Sequence, residues 1–153
     1  MVVSGDNDPR ATYLSMSAPH TSSRGVTASP PPARRARVLL VGSDRRFRAV
    51  AATLLARRGY PVSVGSRDGD IVELARASRA EVVVIDASAS LGAAARQAAR
   101  LDSVRPRVGV VTVSGVAESG HATRPVLSKW SSFDAVLAAI DRASRNPQTY
   151  GEH

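Results

Sequence analysis

From Arg37 onward, short apolar runs alternate with stretches in which apolar residues recur every three or four positions. The first run, Val38-Leu39-Leu40-Val41, reads as a buried strand, because a continuous apolar run with polar borders suits a strand covered on both faces. Ser43 or Asp44 then caps a helix from about Arg45 to Arg58, with Phe47, Val50, Ala51, Leu54 and Leu55 on one face. Gly59 ends that helix as a left-handed cap. Tyr60–Val64 is the expected second strand, and Pro61 restricts it to a sheet edge or a strand start. Asp68 is expected to open a second helix with Ile71, Leu74 and Ala75 turned inward.

The third run lies in Glu81–Ser88, where three valines and Ile85 lead directly to Asp86. Leu91–Leu101 is an alanine-rich helix, followed by a turn signal at Arg105-Pro106. Val108–Val113 forms the fourth strand, and Ser114–Arg124 carries no helical stripe. Pro125–Ser128 is a short fifth strand ending at Lys129. Ser131-x-x-Asp134 has the form of a capping box for the last helix, whose Phe133, Val136, Leu137 and Ile140 share a face. Arg142 and Arg145 complement the dipole at its C-terminus. Strand and helix alternating about five times with short connections predict an α/β three-layer sandwich around a parallel sheet.

Composition narrows this picture. The chain has 153 residues, enough for one domain with a real core. Residues 1–36 hold few large apolar side chains and are expected to be disordered, with Pro30-Pro31-Pro32 as a stiff approach. The domain is expected over 37–145 and a flexible tail over 146–153; Met16 is an alternative start. No apolar run reaches the ~20 residues of a membrane span, and no secretory signal is visible. The absence of cysteine excludes disulfides and fits a reducing, cytoplasmic setting. His20, His121 and His153 have no metal-ligand spacing. The net charge is +8, and of the 21 basic residues only Lys129 is a lysine. Arginine and lysine are not interchangeable, which marks that position as one where an ammonium has a role, unless the choice is chance. The arginines are interleaved with acids, so a solvated surface is favoured over a nucleic-acid stripe.

In parallel α/β sheets, ligands and chemistry gather at the carboxyl ends of the strands. That rim collects Gly42, Ser43 and Asp44 after strand one, Asp86 after strand three, Thr112 and Ser114 at strand four and Lys129 after strand five. With these residues, the turn Ser66-Arg67-Asp68-Gly69-Asp70 and the ending Leu127-Ser128-Lys129-Trp130-Ser131-Ser132, the sequence over about residues 37–145 resembles the receiver domains of two-component response regulators. The resemblance implies a flavodoxin-like fold with strand order 2-1-3-4-5. It further implies Asp86 as the phospho-acceptor position, Thr112 and Lys129 as phosphoryl contacts, and a histidine kinase or other signalling protein as partner. Receivers also bind Mg²⁺ through an acidic pair after strand one, where this chain has Gly42 and Ser43, leaving Asp44 and Asp86 as the metal candidates. The type implied is therefore a degenerate, pseudo-receiver module, not an enzyme, with a short or absent helix before strand five. Val126 stands at the family's aromatic switch position, and Trp130 replaces the proline after the lysine.

The residues leave blander roles open. Asp86 is also read as a loop or capping acid, Asp44 as an N-cap, Lys129 as a structural partner of Asp86, Thr112 as an ordinary strand residue and Trp130 as packing. Two other functions remain. One is a small nucleotide- or cofactor-binding domain, although the G-x-G-x-x-G fingerprint is missing. The other is a DNA-associated protein using its basic N-terminal arm.

Overall fold

A computed structural model describes residues 33–66, 68–115, 126–129 and 132–147. The strands are β1 (Val38–Val41), β2 (Val62–Val64), β3 (Val82–Asp86), β4 (Gly109–Ser114) and β5 (Val126–Ser128). The helices are α1 (Arg45–Arg57), α2 (Ile71–Ala77), α3 (Leu91–Leu101) and α4 (Phe133–Arg145). All pairings are parallel, in the order β2-β1-β3-β4-β5. This is the flavodoxin-like order expected from the sequence. Residues 116–125, on which the expected short or absent helix before β5 falls, lie outside the described residues.

The central strands are apolar on both faces, and their pleat divides the core in two. Val38 and Leu40 of β1, Val82 and Val84 of β3 and Val111 and Val113 of β4 pack with Ala51 and Leu55 of α1 and Val136, Leu137 and Ile140 of α4. Leu39, Val41, Val83 and Ile85 face the other way, against α2 and α3. The expected stripe on α1 is only partly correct. Ala51 and Leu55 are buried, but Val50 is 52% exposed, because α1 meets the sheet with a narrower face than the five-residue stripe implied.

Helix ends follow local chemistry. At the end of α1 the Gly59 N–H donates to the Ala56 carbonyl and the Tyr60 N–H to the Leu55 carbonyl, with Gly59 at φ 85°. This is a Schellman ending, and it brings buried Tyr60 back over Leu55. α2 closes in the same way, except that Arg79 takes the left-handed position at φ 52°. The residue capping α2 is Asp70, not Asp68; its carboxylate accepts from the Val72 and Glu73 N–H groups. Ser132 caps α4 without a side-chain hydrogen bond, and Ser131 of the expected capping box lies outside the described residues.

The compact unit reaches back to Arg34. Glu81 holds this entry, accepting from the Arg37 N–H at 2.8 Å and from Arg34 at 3.4 Å. The Arg35 guanidinium stacks 5.1 Å above the Tyr60 ring, and the Tyr60 hydroxyl donates to Asp141 at 2.6 Å. No helix among the described residues is long and apolar enough to cross a membrane.

β4 enters the sheet directly beneath the backbone of α4. A Cβ on Gly109 would lie 2.4 Å from the Ala143 carbonyl oxygen, so only glycine fits without moving the helix. Gly109→Ala is therefore expected to destabilise the fold by about 1–3 kcal/mol, the range for overpacking, as read by urea denaturation.

Candidate functional site

Three elements end at one point on the carboxyl rim. Asp86 is the last residue of β3, one place earlier than a position past the strand, and shares the α1–α4 face with Val82 and Val84. Lys129 directly follows β5, its N–H donating to the Ser114 carbonyl at 2.9 Å. Asp44 caps α1, with Oδ1 accepting from the Phe47 N–H at 3.0 Å. The Lys129 Nζ lies 2.8 Å from Asp86 Oδ1 and 2.9 Å from Asp44 Oδ2. It also sits 5.0 Å from the centroid of the Phe47 ring, within cation–π range.

The side chains of Lys129 and Asp86 are 2% and 0% exposed, and that of Asp44 is 34% exposed. Burial alone would pull the lysine pKa down. The hydrogen bonds and charges of Asp86 and Asp44 outweigh it and hold the ammonium above its ordinary 10.5. The Phe47 N–H, followed by the Lys129 hydrogen bond, holds the Asp44 carboxyl below its ordinary 3.8. Asp86 also accepts from the Ser88 N–H at 3.0 Å on Oδ1 and from the Asp44 N–H at 3.3 Å on Oδ2. Both of its oxygens are thus occupied by protein donors.

The structural readings of Asp44 and Lys129 therefore hold together: Asp44 is an N-cap and also the second partner of the lysine. Thr112 is elsewhere in the pleat. Asp86 pairs with Val113, whereas Thr112 pairs with Ile85 and Val126, which places its side chain on the opposite sheet face at that level. Thr112 is buried, and among the described residues it makes no hydrogen bond to Asp86 or Lys129. Two contacts at the site were not anticipated from the sequence, although it puts Phe47 on the α1 stripe and Gly42 at the rim. One is the Phe47 ring under the ammonium. The other is Gly42, at φ 144°, where a Cβ would lie 2.4 Å from the Asp86 Cβ. A glycine immediately after a buried strand was the available signal for so close an approach.

The carboxylates present do not fit Mg²⁺. The ion needs free oxygens in octahedral array, whereas Asp86 and Asp44 already share one ammonium and accept backbone N–H groups. Among the described residues no group of three or more metal-ligating side chains is found. Beside Asp86 a cavity of about 140 Å³ is lined by Gly42, Ser43, Ser66, Ser90 and Gln97 among others. Ligand pockets usually run from about 300 to 1,000 Å³, so this space falls short of what a nucleotide requires. Trp130 lies outside the described residues, as do the three histidines and most of the N-terminal arm.

No protein-family profile and no curated protein matches this chain. Solved structures do. The chain is similar to the receiver domain of the response regulator NarL from Mycobacterium tuberculosis, at 21% identity and TM-score 0.52 over 74% of this chain and 98% of that one. It is also similar to the N-terminal domain of a response regulator/sensory box/GGDEF protein from Carboxydothermus hydrogenoformans, at 14% identity and TM-score 0.52 over 71% and 94% of the two chains. A fusion carrying the yeast Spc42 trimeric coiled coil matches at 16% identity and TM-score 0.56 over 71% and 78%. At these identities the likeness is one of fold, and the fold is that of receiver domains.

Two outcomes are expected. Lys129→Met, which leaves two carboxylates without their cation, should cost about 3–5 kcal/mol in denaturant unfolding, and adding Asp86→Asn should recover part of that loss. The stability difference between the native chain and Asp44→Asn should be flat across neutral pH. Because the Asp44 pKa is lowered on folding, its contribution is present above about pH 3.8 and lost as pH falls through the folded value. For Lys129 the pKa is raised, so its contribution persists below about pH 10.5 and is lost on the alkaline side. Thermal melts from pH 2 to 11 (a range of about nine units spanning both transitions) would reveal both limbs.

Proposed function

We propose that the chain is a receiver-like signalling and protein-interaction module in which Asp86 stands at the phospho-acceptor position and is held by Lys129. The observation that carries this reading is the 2.8 Å Asp86–Lys129 pair at the carboxyl rim of a receiver-like sheet. On this reading the module is not an enzyme, and its partner is a histidine kinase or another signalling protein. Phosphorylation must first separate Asp86 from an ammonium and two backbone donors, and Gly42 and Ser43 stand where receivers carry their acidic pair. The module is thus of the pseudo-receiver type, working chiefly through its surfaces. The nucleotide-binding alternative is disfavoured by the size of the rim cavity.

The test is reaction of the full chain with acetyl phosphate, or binding of beryllofluoride, followed by intact mass and NMR with and without Mg²⁺. The native chain is expected to react weakly and Asp86→Ala not at all. Ser43→Asp adds a carboxylate beside the site and is expected to raise the Mg²⁺-dependent yield. Gly42→Asp cannot do so, because its side chain would collide with Asp86. Equal labelling of the native chain and Asp86→Ala would remove Asp86 from the phospho-acceptor position.

A further inference from the structure

The face of α1 turned away from the sheet plays no part in the rim cluster, and its charge is unusual. α1 contains four arginines and no acid, and Arg58 follows it directly. Arg45 and Arg46 occupy the first turn, where the positive end of the helix dipole disfavours cations. α2 and α4 instead carry Glu73 and Asp134 in their first turns, as helix stability favours. Arg45, Arg46 and Arg57 are exposed, and among the described residues none of them forms an ion pair. Arg45 and Arg46 oppose the dipole and have no ion-pair partner among the described residues, so helix stability does not account for them. Arg57, in the last turn, accords with the dipole and adds a second charged end.

Between the two charged ends the exposed face is uncharged. Ala49, Val50, Thr53 and Ala56 are solvent-facing, and Val50 is one of two large apolar side chains so exposed among the described residues. Arg46 and Arg57 are separated by about 16 Å along the helix, at about 1.5 Å per residue. A small apolar centre with arginine at its rim has the anatomy of a protein interface. A phosphate backbone would instead reward positive charge along the whole length.

We infer that the outer face of α1 docks an acidic protein surface, with carboxylates paired to Arg45/Arg46 and Arg57 and an apolar contact on Val50. This deepens the proposed interaction role and rests on it only in taking the partner to be a protein; it does not require Asp86 to react. Arginine suits the task because its planar fork binds carboxylates in a bidentate manner.

The test uses the full chain and a synthetic helical peptide with glutamate pairs flanking an alanine–leucine centre. Binding is followed by NMR shifts and by titration at low and physiological salt. A duplex DNA and phosphatidylserine vesicles serve as competing probes. Peptide-induced shifts are expected on α1, with affinity falling at least tenfold in Arg45→Glu/Arg46→Glu and in Val50→Glu, and little in Arg142→Glu/Arg145→Glu on α4. The α1 charge reversals should leave the melting temperature unchanged or higher, which separates lost docking from lost folding. Asp86→Ala should bind the peptide as the native chain does, so failure of the phospho-acceptor reading leaves this one standing. Peptide affinity indifferent to the α1 variants would overturn the proposal. So would tighter, α1-dependent binding of the DNA or the vesicles.

Discussion

A lysine ammonium with 2% of its side chain exposed is the most demanding group in this fold. Water cannot solvate it, so its charge persists only while two carboxylates stay within hydrogen-bond reach. Those carboxylates come from the end of β3 and the start of α1, and the lysine from the end of β5. The demand is therefore also a constraint on register. A slip of one residue in β3 would turn Asp86 to the α2–α3 face and bring Ile85 beneath the charge. Apolar burial stabilises the sheet throughout, and the ammonium specifies how its carboxyl ends must align.

The same arrangement sets how charge is balanced at this rim. One ammonium supplies the positive charge between the two acids, and backbone N–H groups occupy the remaining oxygens. Gly42 lets the first turn pass so close to Asp86 that no side chain fits between them. A short, rotatable amine can bridge two acids at such close range where the planar arginine fork would demand more room. In a chain that is otherwise arginine-only in its basic residues, this gives the single lysine a physical role.

The sheet was legible because its signal is redundant: apolar runs in β1, β3 and β4 have no solvent face to obscure them, and Leu91–Leu101 was bounded to the residue. The errors arose where two local solutions compete. Asp68 and Asp70 are both plausible caps in an acidic turn, and only the fold selects Asp70. Val50 fits the helical period, yet α1 contacts the sheet through a stripe too narrow to include it. At the rim, residue identities pointed to Asp86 and Lys129, but Asp44 seemed to be either a cap or a ligand. That its two oxygens serve a backbone N–H and the ammonium separately depends on a contact between residues 85 positions apart, which no local pattern encodes.

That separation bears on how the molecule comes to be made. Asp44 and Asp86 precede Lys129 along the chain, so until β5 is in place the rim holds two acids without their cation. Non-local pairings form late because loop closure must precede them. The arrival of β5 therefore does more than extend the sheet by one strand. It delivers the counter-charge that the two acids at the rim otherwise lack, so the rim is complete only once the last strand has docked.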